Sequence, residues 1–226
     1  MKSEEELVKL HSGSYVEMYE RKPLSRLQRL VPMMGLQGDE RVADFACGNA
    51  MLLPLISDRI RHYDGVDFSE DFIAAARRRA DHAGIRNCSF HCQDILAFCE
   101  QNPATFDVAT AFDFSEHVYD DDAVRFFSAI RSSLRPGGKL YLHTPNLAFF
   151  MERFKDIGII PQFPEHIAVR DEAANIEMLV RAGFARDGIR CRRIAHYNLL
   201  KVLHPFHHLP LVGDFFAARL FIECRA

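Results

Sequence analysis

The amino-acid sequence predicts an α/β protein whose mostly parallel sheet is covered by helices on both faces. Strand-like and helix-like runs alternate between residues 41 and 145, which is the rhythm of parallel strands joined by crossover helices. Of the 226 residues, 48% are apolar, so the chain can bury a substantial core. Because no repeat, low-complexity tract or break in composition marks a linker, we expect a single domain over residues 1–226.

Five strands and the helices between them are predicted in chain order. The strands are RVADFA, YDGVDF, CSFHCQD, FDVATAFD and KLYLHTP. The helices are NAMLLPLISDRI, EDFIAAARRRADHAG and DDAVRFFSAIRSSL. Ser69 is a favourable N-cap for the second of these helices, and Glu70 and Asp71 suit its first turn. The run PGG at residues 136–138 is predicted to turn the chain into the fifth strand.

The alternation ends after Pro145, and the remaining chain is predicted to complete the same domain. An irregular and aromatic segment precedes the predicted helix EAANIEMLVRAG. GIRCRRIAHY and ARLFIECR are candidate closing strands, and we expect a C-terminal antiparallel strand at the sheet. The domain is therefore divided into an N-terminal helical lid (1–38), a core (39–145) and a C-terminal segment (146–226).

Charge and composition exclude several classes of partner. The net charge of −3 provides no basic field for nucleic acid or an anionic membrane. The N-terminus is too charged for a signal peptide, and no apolar run approaches the ~20 residues that span a bilayer. The six cysteines have no framework spacing, which favours a reducing compartment. We expect a cytoplasmic monomer or homodimer with no nucleic-acid partner and no stable membrane insertion.

The first predicted strand ends in the loop DFACGNA, whose small residues precede a helix-like run. Small side chains let a ligand approach the backbone N–H groups of such a turn. A pyrophosphate-binding loop has three glycines, whereas here Ala46 and Ala50 flank Gly48. Asp44 would repel a pyrophosphate and suits a ligand with an ammonium or sulfonium group. We expect Ala46 to continue the strand without a positive φ, and Ala50 to join the first helical turn.

Two further acids follow at the ends of the next two predicted strands. Asp67 ends the second strand, where a carboxylate can take both ribose hydroxyls. Asp94 ends the third strand and can reach an adenine edge. Together with Asp44, these acids indicate a nucleoside that carries positive charge rather than phosphate.

With these motifs the sequence resembles the class I S-adenosylmethionine-dependent methyltransferases. The residues that carry the resemblance are, in order, DFACGNA, GVDFSEDF, CQDI, FDVATAFDFSEHV and LRPGG. They cover about residues 40–145, and a weaker resemblance continues through EHIAVRDEAANIEMLVRAGF. The resemblance implies a Rossmann-like sheet, S-adenosylmethionine as cofactor and S-adenosylhomocysteine as product. Ala46 and Ala50 replace two of the family's glycines.

The resemblance also assigns residues to the methionine and ribose of the cofactor. Asp44 would fix the methionine ammonium, directly or through water, and Asp67 would hold the ribose hydroxyls. The loop that would face the methionine and ribose consists of Ala46, Cys47, Gly48 and Asn49. Tyr19, in the N-terminal lid, would fold over the cofactor, with a plain packing role as the alternative.

The adenine and the sulfur are assigned to three later strand ends. Phe68 would lie against the adenine, and Asp94 and Ile95 would read its edge. Phe112 and Asp113, which end the fourth strand, would lie near the methyl-bearing sulfur.

Two histidines are candidates for the general base that an acceptor losing a proton needs. His166 lies in the irregular segment that would form the acceptor pocket, and we rank it first. His117 follows the fourth strand and ranks second. No metal site is expected, because the remaining cluster of histidines lacks an accompanying acid or cysteine pattern; it consists of His204, His207 and His208.

The aromatic segments after residue 145 and around residue 206 suggest a small apolar or aromatic acceptor. The runs EHV, LRPGG and TPN resemble methyltransferases of quinone precursors, sugars and secondary metabolites. Oxygen is our first choice for the methylated atom and nitrogen the second. Two alternatives stay open. The chain could be a nicotinamide-dependent oxidoreductase, or a protein that binds S-adenosylmethionine without catalysis.

Overall fold

The structure is a computed structural model of the 226-residue chain. It describes Val16, Tyr19 and residues 22–163, 166–196 and 199–226. Half of the predicted lid, residues 1–38, therefore lies outside the described residues. Within it, Val16 and Tyr19 are helical.

From residue 22 onward, the described residues form seven strands and eight α-helices. The strands are β1 (Arg41–Phe45), β2 (His62–Asp67), β3 (Cys88–Cys92), β4 (Phe106–Phe112), β5 (Leu134–Pro145), β6 (Arg190–Ile194) and β7 (Arg219–Arg225). The helices are α1 (Ser25–Gln28), α2 (Val31–Met34), α3 (Leu53–Ile56), α4 (Glu70–His82), α5 (Ile95–Gln101), α6 (Asp120–Ser133), α7 (Phe150–Asp156) and α8 (Glu172–Arg181). The 3₁₀ turns are Ser57–Arg59, Ser115–His117, Arg186–Gly188, Leu199–His208 and Gly213–Phe216.

The seven strands form one sheet in the order β3-β2-β1-β4-β5-β7-β6. β1 pairs in parallel with β2 and with β4, and β2 pairs in parallel with β3. β7 is antiparallel to both of its neighbours, β5 and β6. The predicted fold class, a mostly parallel sheet with a C-terminal antiparallel strand, is confirmed.

The chain divides into two compact units. The first consists of Met1–Thr110 and Ser132–Gly138, and the second of Ala111–Arg131 and Lys139–Ala226. These limits differ from the predicted divisions at residues 38 and 145. The single domain stays a prediction.

Local chemistry explains the elements of the first unit. The side chain of Ser69 accepts the N–H of Phe72, so Ser69 caps α4 as predicted. Asp94 caps α5 in the same way. The predicted helix between Asn49 and Ile60 is wrong in length, because the helix begins only at Leu53. Pro54 explains this, since proline is tolerated in the first turn of a helix but not in its interior.

The predicted turn at residues 136–138 is also wrong, because β5 already begins at Leu134. The backbone of Gly138 passes close to three carbonyl groups of the first unit. A Cβ on Gly138 would lie 2.9 Å from the Arg135 oxygen and 3.2 Å from those of Phe106 and Asp107. Glycine is needed here for close approach within the sheet.

The second unit contains the closing strands and the segment between them. β6 and β7 pair from Arg190 opposite Glu223 to Ile194 opposite Arg219. The segment between these strands is wound mainly in 3₁₀ turns. Among the described residues, no helix combines the length and the apolar character that a membrane span needs.

Candidate cofactor and acceptor sites

The loop after β1 is built from residues in the left-handed conformation. Ala46, Gly48 and Ala50 have φ angles of 53°, 53° and 52°. The expectations that Ala46 continues the strand and that Ala50 starts a helix are therefore wrong. A left-handed conformation costs an L-residue roughly 1–2 kcal/mol, because Cβ crowds the following carbonyl. The loop thus keeps the turn of a glycine-rich motif with two strained alanines in place of glycines.

Asp67 fastens this loop to the end of β2. Its Oδ2 accepts the N–H of Gly48 at 2.9 Å, and its Oδ1 accepts the N–H of Ser69 at 2.9 Å. The side chain is buried, with the residue only 6% exposed. Hydrogen bonds to an ionised carboxylate are stronger than those between neutral groups. Asp67, which is predicted to bind the ribose, is therefore also the residue that holds the loop in place.

Asp44 lies between two hydroxyl groups in the interior of the first unit. Tyr63 donates to Oδ2 at 2.6 Å, and Thr110 donates to Oδ1 at 2.6 Å. Burial raises the pKa of Asp44 to about 6, against the lowering effect of these two hydrogen bonds. The predicted contact with a methionine ammonium would have to use oxygens that already accept hydrogen bonds.

The two residues around Gly48 have different roles. Cys47 donates from its thiol to the Gly48 carbonyl, and burial raises the pKa of the thiol well above its ordinary value. An un-ionised thiol is a poor nucleophile, so Cys47 packs rather than reacts. Asn49 is buried, its carbonyl accepts from Arg79 at 2.7 Å, and among the described residues its amide nitrogen Nδ2 has no hydrogen-bond partner. That nitrogen is a donor available to a bound ligand.

The residues assigned to the adenine lie at the ends of β2 and β3. Oδ1 of Asp94 accepts the N–H groups of Leu96 and Ala97 at 2.8 and 3.2 Å. Its other oxygen, Oδ2, takes no hydrogen bond from the part of the chain that the structure describes. Ile95 is buried, whereas Phe68 is 46% exposed beside the buried Asp67. An exposed ring and a carboxylate oxygen with capacity to accept are what an adenine face and amino group require.

Tyr19 contacts the loop region through one intermediate ring. Its ring lies edge-on to Phe72, with 5.7 Å between the centroids, and the ammonium of Lys22 lies 3.3 Å above the Tyr19 ring. Phe72 in turn approaches Gly48, whose Cβ would lie 3.7 Å from that ring. Tyr19 therefore packs on α4. Its place over a cofactor stays a prediction.

In the second unit, Asp113 follows β4 in a left-handed conformation, with a φ of 54°. Its carboxylate is paired with the guanidinium of Arg219 and lies 3.0 Å from Nδ1 of His143. Its N–H donates to the His143 carbonyl at 2.7 Å. The Phe112 ring packs against His143 and Phe221. This network holds the chain rigidly at the residue predicted to lie near the sulfur.

Glu116 is a functional candidate that the sequence reasoning missed. It is 1% exposed, and Thr144 donates to its Oε2 at 3.2 Å. Its Oε1 is buried and has no hydrogen-bond partner among the described residues. Burial and the nearby charge of Asp113 raise the pKa of Glu116 to about 8. The available signal was its position directly before His117, within the run EHV.

His117 and His166, ranked as alternative bases, lie side by side. Their rings meet edge-on with 5.2 Å between the centroids. One nitrogen of each ring and one carboxylate oxygen of Glu116 all lie within 4.8 Å of one another. At these distances the three groups could coordinate a cation or share a proton. Because burial raises the pKa of Glu116 to about 8, its carboxyl can share a proton with these imidazoles near neutral pH.

The segment that carries His166 is tied to the turn at Ser115–His117. The N–H groups of Ile167 and Ala168 both donate to the Glu116 carbonyl, at 3.0 and 3.1 Å. The Arg170 guanidinium donates to the carbonyls of Ser115 and Val118 at 2.6 and 2.9 Å. These four hydrogen bonds fix the position of His166 relative to Glu116.

The remaining histidines pack on each other within the 3₁₀ segment. The rings of His204 and His207 stack at 4.1 Å, and Nδ1 of His207 lies 2.6 Å from the His204 carbonyl. The ring of His208 lies 3.8 Å from that of His207. The three imidazole rings therefore pack on one another.

Comparison with known proteins agrees with this geometry. Residues 42–138 match the family described as "Methyltransferase domain". A ubiquinone biosynthesis O-methyltransferase of Idiomarina loihiensis is 36% identical over 112 residues, which are 50% of this chain and 44% of the relative. The enzyme of the same name from Coxiella burnetii is 31% identical over 133 residues, 59% of this chain and 55% of the relative. The chain thus spans about half the length of these curated relatives.

Solved structures share the fold over most of the chain. A SAM-dependent methyltransferase from Archaeoglobus fulgidus has a TM-score of 0.68 at 18% identity and covers 96% of both chains. An S-adenosylmethionine-dependent methyltransferase from Mesorhizobium loti has a TM-score of 0.63 at 17% identity, over 90% of this chain and all of its own. Residues 42–138 thus match a methyltransferase-domain family, and the chain shares the fold of solved S-adenosylmethionine-dependent methyltransferases.

Proposed function

We propose that this chain transfers the methyl group of S-adenosylmethionine to a hydroxyl group of a small aromatic acceptor. The observation that carries the proposal is the loop after β1, which a buried carboxylate, Asp67, holds in a glycine-rich turn although two of its residues are alanines. Such strain persists where the surrounding structure maintains it for a function.

The residues of the first unit fit the cofactor. Asp67 would take the ribose hydroxyls, and Asp94 would accept from the adenine amino group through Oδ2, with Phe68 against the ring. Asn49 would donate from its amide nitrogen, and Asp44 would balance the positive charge of the methionine part. When bound, S-adenosylmethionine supplies a methyl group on a good leaving group, so the protein's main tasks are alignment and exclusion of water.

The second unit contains the residues that would bind the methyl acceptor. Its aromatic rings pack in a chain, with Phe149 against Phe150 at 4.6 Å and Phe150 against Phe154 at 6.0 Å. Phe163 contacts the ring of His166 at 5.2 Å. Aromatic walls next to an imidazole suit a phenolic acceptor, which must lose a proton when its oxygen is methylated. The curated relatives are named as O-methyltransferases, which favours oxygen over nitrogen.

The test is incubation with methyl-labelled S-adenosylmethionine and a panel that contains catechols, hydroquinones, phenols and anilines. Transfer to phenolic oxygen supports the proposal, and transfer to anilines alone contradicts it. Isothermal titration with each ligand separates the alternatives. If the protein binds S-adenosylhomocysteine and does not bind NAD, the oxidoreductase is excluded. If it binds S-adenosylhomocysteine but methylates no acceptor, the non-catalytic protein is favoured.

A further inference from the structure

The chemistry proposed above assigns no role to Glu116, a buried acid of the second unit. Glu116 is 1% exposed, and one of its carboxylate oxygens lies within 4.8 Å of a ring nitrogen of each imidazole that is a candidate for the base. Resting on the proposed function, we propose that Glu116 is the final acceptor of the proton that leaves the methyl acceptor, with His166 as the group that passes it inward. Because Glu116 acts through His166, it is a positioning residue for the proton and does not touch the substrate.

The geometry allows this transfer. The carboxylate oxygen of Glu116 and a ring nitrogen of His166 are no more than 4.8 Å apart, which a small side-chain rotation or one bridging water spans. Oε1 of Glu116 has no hydrogen-bond partner among the described residues, so an acceptor site is available. The N–H groups of Ile167 and Ala168, bonded to the Glu116 carbonyl, keep the two side chains in register.

The step balances without a further reagent. A lone pair of the acceptor oxygen forms the bond to the methyl carbon, while the C–S bond breaks and its electron pair stays on sulfur. The hydroxyl proton moves to His166, and a proton moves from the imidazole to the Glu116 carboxylate, which becomes a carboxylic acid. The acid then returns its proton to water after the products leave.

Several charged groups set the protonation of Glu116. Asp113 after β4 raises its pKa, whereas Arg219 of β7 and the Thr144 hydrogen bond of β5 lower it. His117 on its own turn and His166 and Arg170 on the facing segment complete its titratable and charged surroundings. With a pKa of about 8, the carboxyl is close to the pH at which a proton acceptor works best. Turnover is therefore expected to rise as the pH increases through about 8.

The primary test is the pH profile of kcat in two variants and a matched control. In Glu116→Gln, which cannot ionise, the rise near pH 8 disappears and kcat above it falls about tenfold or more, while S-adenosylhomocysteine binds as before. Thr144→Val removes a hydrogen bond that lowers the pKa of Glu116, so the rise moves to higher pH. Glu152→Gln, another buried glutamate of the second unit paired with Lys155, leaves the profile unchanged.

A second measurement does not depend on turnover. Infrared difference spectra of wild type and Glu116→Gln should show a carboxylic-acid band that is lost as the pH rises through about 8. Absence of that band at acidic pH overturns the relay. A rise of kcat near pH 8 that is retained in Glu116→Gln also overturns it, as does loss of wild-type activity when divalent metal is chelated. If wild type methylates none of the panel, the proposed function fails, and the infrared titration still decides whether Glu116 holds a proton.

Discussion

The carboxylate of Asp67 accepts the backbone N–H of Gly48 at 2.9 Å, which ties the end of β2 to the loop after β1. A strand-end acid in this fold is usually considered for what it offers a nucleotide. Here the same side chain also sets the conformation of the loop that would surround the ligand. Loss of Asp67 should therefore affect the stability of the fold as well as the binding of the cofactor.

Asp67→Ala should weaken the binding of S-adenosylhomocysteine at least tenfold and also lower the free energy of unfolding. Two backbone N–H groups lose a charged acceptor, and hydrogen bonds to charged groups contribute roughly 1.5–3 kcal/mol each. Isothermal titration and urea denaturation measure the two effects. Asp171→Ala is the matched control, since it removes an N-cap carboxylate from α8 in the second unit and should leave ligand affinity unchanged. Wild-type affinity in a folded Asp67→Ala protein would refute the assignment.

Ala46→Gly should raise the free energy of unfolding by up to about 1 kcal/mol. The φ of Ala46 is 53°, so the strain that glycine removes exceeds the entropy it adds to the unfolded chain. We choose Ala46 because it is only partly buried. Replacing Ala50 by glycine would also remove a fully buried methyl group, which would lower the stability. The control is Ala97→Gly inside α5, which should destabilise by roughly the same amount. Equal losses of stability in both variants would contradict the strained loop.

Asp44 should make the stability of wild type fall as the pH rises from about 4 to about 6. The folded pKa, about 6, lies above the unfolded value of about 3.9, so the folded state holds the proton more tightly and loses stability as both states ionise. The loss is at most about 3 kcal/mol and is complete above the folded pKa.

Asp44→Asn should not show this loss, so its stability relative to wild type should increase across that pH window in urea denaturation. Thr110→Val should enlarge the loss, because the Thr110 hydrogen bond lowers the pKa of Asp44. Parallel stability curves for wild type and Asp44→Asn would disprove the shifted pKa.

Much of the fold could be predicted because periodicity and end signals agree along the first unit. Ser69 illustrates this, since its N-cap role follows from residue type and position alone. The resemblance to methyltransferases was found for a similar reason: five motifs stand in chain order, and residues 42–138 match a methyltransferase-domain family. The conformations of Ala46 and Ala50 could not be predicted, because alanine rarely adopts positive φ and only the surrounding contacts impose it.

The candidate acceptor site could be predicted only in part. His117 and His166 were identified by residue type, but their proximity depends on a tertiary arrangement that joins segments fifty residues apart in the chain. Glu116 was missed because a sequence does not show that a carboxyl group is buried or that one of its oxygens lacks a hydrogen-bond partner among the described residues. The assignments to the cofactor stay predictions, since they concern contacts with a ligand.

His166→Ala should lower the rate of methyl transfer about a hundredfold or more, with cofactor affinity unchanged. The imidazole is the predicted base, and it lies in the second unit, whereas the residues assigned to the ribose and adenine lie in the first. His117→Ala removes a ring that packs edge-on against His166, so a smaller loss of rate is expected from poorer orientation. Single-turnover kinetics with labelled cofactor, together with titration of S-adenosylhomocysteine, separates chemistry from binding in both variants. If His117→Ala loses most of the methyl-transfer rate while His166→Ala keeps the wild-type rate, the two roles are reversed. Full activity in both would mean that alignment alone drives the transfer, and no imidazole base exists.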